Sequence, residues 1–159
     1  MKTATQNLIG LDTEKANDLA IRLNQLLANY QVFYQNLRGF HWNIKGKKFF
    51  ELHAKFEELY TDAQEKIDEI AERILTLGHT PLHSFNSYSK ISEISPVENI
   101  TDATTTVETT LQNLSLIIRK EREILKEAAE ADDEGTVTLL TDYVKQQEKT
   151  AWMLSAWLK

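Results

Sequence analysis

Five glycines and two prolines in 159 residues restrict this chain more than any other feature. Their combined share is well below the usual ~12%. Placed at Gly10, Gly39, Gly46, Gly78, Pro81, Pro96 and Gly135, they leave long stretches with nothing to break a helix. Apolar residues recur through those stretches at steps of three and four, the spacing of one helical face. Leu19, Leu23, Leu26, Tyr30, Phe33 and Leu37 predict a helix over about 13–42, and His41 continues the row. Phe49, Leu52, Phe56, Leu59, Ala63, Ile67, Ile70, Ile74 and Leu77 predict a second over about 48–77, stopped by Gly78.

A third helix is expected over about 102–131 on Val107, Leu111, Leu114, Ile117, Ile118, Leu125 and Ala128. Thr104, Thr105, Thr106, Thr109 and Thr110 weaken its first turns, because β-branched side chains lose rotamer freedom in a helix. The last, over about 136–158, follows Gly135 with Leu140, Val144, Gln147, Ala151, Leu154 and Leu158. Between the second and third helices lies a serine-rich stretch, 79–96, long for a plain loop. Leu82, Phe85, Tyr88, Ile91 and Ile94 recur in it every third residue, so a short helix is expected there. A long connection at this point lets the second and third helices run parallel, the ferritin-like topology of a four-helix bundle. The expectation is all-α, one domain over 1–159 with a short N-terminal extension of about 1–12.

Composition matters here mainly for what it excludes. There are no cysteines, so disulfides, thiolate metal sites and cysteine nucleophiles are ruled out, and any metal must be held by nitrogen and oxygen. No run of 18 apolar residues and no leader-like N-terminus is present, so a cytoplasmic protein that does not span a membrane is expected. Eighteen basic against 24 acidic residues give a formal charge of -6, which suits cations better than phosphate backbones.

Only four histidines occur, at 41, 53, 79 and 83. On the second helix a polar row runs beside the apolar stripe: His53, Glu57, Thr61, Gln64, Asp68 and Glu72. Such a row is ordinarily a boundary with solvent. Its company points further, since His41 lies on the apolar face of the first helix and Asp68 and Glu72 sit one turn apart. Histidine with carboxylate is a ligand set for iron, manganese or zinc. His53 and Asp68 are 15 residues apart, about 22 Å along a helix, so one chain cannot close a site around one ion. Two copies of the helix packed antiparallel across a twofold axis would bring His53 opposite the other copy's carboxylates, giving two equivalent sites per dimer. His79 and His83 have no carboxylate at helical spacing and read as surface residues.

The string His41-Trp42-Asn43, with His53 twelve residues after His41, and Ile67-Asp68-Glu69-Ile70-Ala71-Glu72-Arg73-Ile74 closely resemble the Dps family of mini-ferritins, the DNA-binding proteins from starved cells. Glu148-Lys149-Thr150-Ala151-Trp152-Met153-Leu154 is similar to that family's last helix, and the resemblance spans nearly the whole chain. It implies a dodecameric shell that binds ferrous iron between twofold-related subunits. The iron would be oxidised preferentially with hydrogen peroxide, or with dioxygen, and stored as ferric mineral. The chain would then be a ferroxidase that protects against oxidative damage. His41 and His53 match the ligands from one subunit, Asp68 and Glu72 those from the other, and Glu57 a residue that assists a second, weaker metal position. Trp42 matches a site-adjacent tryptophan, a sink for stray oxidising equivalents or plain packing. Acidic pores near the start of the last helix would admit iron. Asp132, Asp133, Glu134 and Asp142 lie there, with Glu134 and Asp142 the pore candidates and Thr138 where an acid often stands. The chain carries no Glu-x-x-His, the motif of intrasubunit di-iron sites, so larger ferritins match poorly.

Members of the family that bind DNA strongly do so with lysine-rich tails. Here the first dozen residues hold only Lys2 against Asp12, and the chain stops at Lys159. Lys45, Lys47 and Lys48 could give weak, salt-sensitive association. DNA binding is therefore expected to be weak or absent, the alternative being a nucleoid shell whose main activity is coating DNA.

Overall fold

The computed structural model describes residues 5–159, which form five helices: α1 Thr13–Asn43, α2 Phe49–Thr76, α3 Phe85–Ile91, α4 Ala103–Glu130 and α5 Glu134–Trp157. Four begin at a side chain that accepts a hydrogen bond from a backbone N–H of the first turn: Asp12 from Lys15, Ser84 from Ser87, Asp102 from Thr105 and Asp133 from Thr136. The polar N-terminus of α4 is consistent with its threonines. Thr106 and Thr110 are buried, and their hydroxyls donate back to the carbonyls of Asp102, Ala103 and Thr106, so the polar atoms cost the core little.

α2 ends in a Schellman turn in which Gly78, at φ 89°, donates to Leu75 and His79 donates to Ile74. α4 ends the same way with Asp132 at φ 56°, and Asp133 donates to Ala128. Asp133 is then both the close of α4 and the cap of α5, which is why α5 starts two residues earlier than Gly135 suggests. Arg73 of α2 seals this corner, with Nη2 2.5 Å from the buried Asp133 Oδ1 and Nε 3.0 Å from Thr136 Oγ1. A side chain at Gly135 would collide with that guanidinium.

The helix directions follow from cross-links. The start of α1 meets the end of α4 through Lys15 Nζ to the Glu130 carbonyl and Arg22 to Glu127. α2 meets α5 head to tail through Arg73–Asp133, Glu69–Tyr143 and Lys66–Gln146. With α1–α2 and α4–α5 as antiparallel hairpins, α2 and α4 run parallel, as the long connection predicts. That connection is pinned to α1 by three asparagines. Asn24 accepts from Leu82 N–H, the buried Asn29 from Glu93 and Ile94 N–H, and the buried Asn36 from Val97 N–H. The core between the four long helices is filled by Leu23, Leu27, Leu37, Phe56, Ile70, Ile74, Ile117 and Leu140. No helix among the described residues is long and apolar enough to cross a membrane. Residues 5–12 fold back on α1, Thr13 N–H donating to the Thr5 carbonyl; Lys2 lies outside the described residues.

Candidate metal centre

His41 sits in the last turn of α1 and His53 in the second turn of α2, on either side of the short turn at Asn43–Lys48 that Gly46 allows at φ 108°. Their rings stack, 3.8 Å between centroids at 14°. Each Nδ1 lies 2.7 Å from the other residue's backbone carbonyl. A carbonyl oxygen only accepts, so both Nδ1 atoms carry the hydrogen and both Nε2 atoms keep a free lone pair when the rings are neutral. Two stacked imidazoles of matching tautomer are thereby fixed within one chain. Phe49 stacks on the outer face of His53 at 5.0 Å, and Tyr60 meets His41 edge-on at 5.3 Å. His41 is buried and His53 half-buried.

Glu57 lies one turn beyond His53 on α2 and is exposed. Asp68 and Glu72, one turn apart farther along α2, are also exposed. By helical rise Asp68 is about 22 Å from His53. The structure thus brings His41 and His53 together and holds Asp68 and Glu72 apart from them on the same chain. Among the described residues of one chain, no group of three or more His, Asp or Glu side chains is placed to hold an ion.

Trp42 is 56% exposed beside His41, its ring covered on one face by the Arg38 guanidinium at 4.7 Å. Within one chain it is therefore not core packing. Glu134 and Asp142 are exposed on α5 and Asp132 at its entrance. Asp133, grouped with these acids by sequence, is instead buried and neutralised by Arg73, so it lines no open passage. His79 is half-buried and His83 exposed.

One polar group absent from the sequence-based site list is Glu121, fully buried in the middle of α4. Its signal was present: Leu114, Ile117, Glu121, Ile124 and Ala128 keep one helical register, with a carboxylate inside the apolar row.

The fold and its helix order define the chain as ferritin-like, and a family model described as a ferritin-like domain matches residues 21–159. A crystal structure of a Dps protein from Vibrio cholerae O1, described as a member of a broad superfamily of ferritin-like diiron-carboxylate proteins, is 53% identical, with full coverage of both chains and a TM-score of 0.96. The DNA protection during starvation protein of Porphyromonas gingivalis is 45% identical over 148 residues, 93% of each chain. The crystal structure of a Dps protein from Bacillus brevis is 35% identical with a TM-score of 0.89, covering 92% of this chain and 98% of that one. The chain belongs to the Dps family of mini-ferritins.

Proposed function

We propose that the chain is the subunit of a cytoplasmic dodecameric shell that oxidises ferrous iron and stores the ferric product. The oxidising sites would lie between twofold-related subunits, with His41 and His53 from one and Asp68 and Glu72 from the other. The observation that carries this reading is the locked histidine pair, two Nε2 lone pairs presented together, with an exposed carboxylate pair too far along the same helix to reach them. Imidazole and carboxylate ligands suit both ferrous and ferric iron, and four ligands leave coordination positions for the oxidant. Hydrogen peroxide and two ferrous ions, taking up two protons, give two ferric ions and two waters, so no hydroxyl radical is released. Glu57, exposed one turn from His53, would assist a second ion, and Glu134 and Asp142, exposed on α5, would be the acids through which iron enters.

Family relatives bear the name DNA protection during starvation, yet DNA coating is the weaker reading for this chain. Lys45 and Lys47 are exposed at the α1–α2 turn, but Lys48 is paired with Glu51 at 3.2 Å and the subunit charge is -6.

The test is anaerobic ferrous loading of the purified oligomer, then peroxide or air, with ferric absorbance and hydroxyl radical followed. The native protein is expected to oxidise iron fast with peroxide while suppressing radical, and a His41/His53/Asp68/Glu72 quadruple alanine variant to lose both properties. Equal, slow oxidation in the two proteins would remove the ferroxidase assignment.

A further inference from the structure

All four long helices send a polar side chain into the middle of the bundle, where the iron chemistry proposed above has no part. Tyr30 of α1 donates to Glu121 Oε1 of α4 at 2.5 Å. Gln147 of α5 donates through Nε2 to the same carboxylate oxygen at 3.2 Å and to the Tyr30 hydroxyl. Lys66 of α2 is buried too, but its ammonium is held by both Asp62 oxygens and Gln146 Oε1, each at 2.6 Å. No ion pair reaches Glu121 among the described residues.

Counting donors and acceptors exposes a deficit. Glu121 Oε2 and Gln147 Oε1 are both buried acceptors with no hydrogen-bond partner, although Tyr30 and the Gln147 amide have already given up their hydrogens. An ionised carboxylate here would be a buried charge with one oxygen bare, which is among the costliest arrangements a core can hold. A single hydrogen on Oε2 removes the charge and turns one of the two orphan acceptors into a donor.

We propose that the centre of the bundle is a proton-binding site in which Glu121 carries a hydrogen on Oε2 in the folded subunit, so that the fold tightens as the medium acidifies. The groups facing Glu121 are Tyr30 on α1, Lys66 and Asp62 on α2, and Tyr143 and Gln147 on α5; its own α4 neighbours one turn away, Ile117, Ile118, Ile124 and Leu125, are apolar. Burial pushes the Glu121 carboxyl up to about 7, against the hydrogen bonds from Tyr30 and Gln147 and the positive charge of Lys66, and with the negative charge of Asp62. Burial also raises both phenols, Tyr30 and Tyr143, so neither supplies a competing charge.

The sign follows directly. Between the ordinary carboxyl value and about 7, the folded chain binds a proton that the unfolded chain has released. The contribution to stability is complete below the ordinary value and is lost as pH rises through about 7. This is opposite to the acid lability of a core built on ionised carboxylates.

The test uses the assembled protein. Difference infrared spectroscopy between acid and alkaline samples reads the C=O stretch of a protonated carboxyl directly. The native protein is expected to show one such band from a buried group, disappearing with a midpoint near 7 and absent from Glu121→Gln. In chemical denaturation, the Glu121→Gln variant, which keeps the shape without the charge, is expected to gain on the native protein between about pH 5 and pH 8. The gain should be on the order of 50-fold in the unfolding constant per subunit. If the native protein shows no buried carboxyl band at any pH, Glu121 is ionised throughout and its bare Oε2 is held by water or a cation, which overturns the proposal; a band present at every pH with no midpoint overturns the pH dependence. A native-to-variant difference independent of pH overturns it as well. Neither readout involves iron oxidation, so failure here leaves the ferroxidase reading untouched, and the reverse also holds.

Discussion

His41 and His53 serve the fold through Nδ1, and on the proposed function would leave Nε2 to an ion, so the two roles can be separated by comparison with the carboxylates. His53→Ala removes a ring stack and leaves the His41 carbonyl unpaired, a loss of about 1–2 kcal/mol in chemical denaturation. Asp68→Asn, on an exposed position without packing, should change stability by no more than about 0.5 kcal/mol. Both are expected to abolish fast peroxide-driven iron oxidation to a similar extent. If Asp68→Asn oxidises iron at the native rate, the carboxylate is not a ligand. All four proposed ligands could be picked out of the sequence, because their spacing is a statement about helix geometry. The hydrogen-bond exchange that fixes the imidazole tautomers could not, since it depends on how the turn at Gly46 brings two backbone carbonyls against two rings. Glu121 is the instructive omission: its place in the apolar register was visible, but attention to titratable groups on polar faces passes over one inside the core.

At the scale of elements, the long helices announced themselves by period, and their limits agree with the sequence reading to within one residue except where capping decides. α5 is the exception: Asp133 takes the N-cap, so Glu134 begins the helix. The connection between α2 and α4 was the least legible part. Its short helix was expected from a three-residue repeat, yet Phe85 and Ile91, two members of that repeat, face solvent in one chain. Ile94 is buried in the core with Tyr88 and Val97 packed against it, and the amides of Asn24, Asn29 and Asn36 on α1 pin the backbone between them; single polar residues spaced five and seven apart leave no periodic trace. Asn29→Ala should therefore cost about 2–3 kcal/mol, because the Glu93 and Ile94 N–H groups lose their shared acceptor. Hydrogen exchange should show the loss locally, as faster exchange at those two amides with the rest of the bundle unchanged. Uniform acceleration across all helices would mean that the crossover is not a separate unit.

For the whole molecule, charge is the property that scales. In the proposed shell, twelve subunits at -6 each would sum to about -72, which would draw cations toward it and repel a polyanion. In a gel-shift assay plasmid DNA is expected to run free of the protein near 150 mM salt, with weak retention only when salt is lowered to about 10 mM. Retention at the higher salt would bring the DNA-coating reading forward.

The division of α2 into a histidine end and an acidic end carries a further consequence for how such a shell comes into being. On the proposed assignment a newly made subunit would hold two ligands here and two there, with no group of three or more His, Asp or Glu side chains placed to hold an ion among its described residues. Redox competence would arrive only when two copies meet, so its onset follows the square of subunit concentration. Docking would then act as the licence for catalysis: solitary chains would stay chemically silent, and the protein would oxidise iron only where a wall is already being built to receive the product.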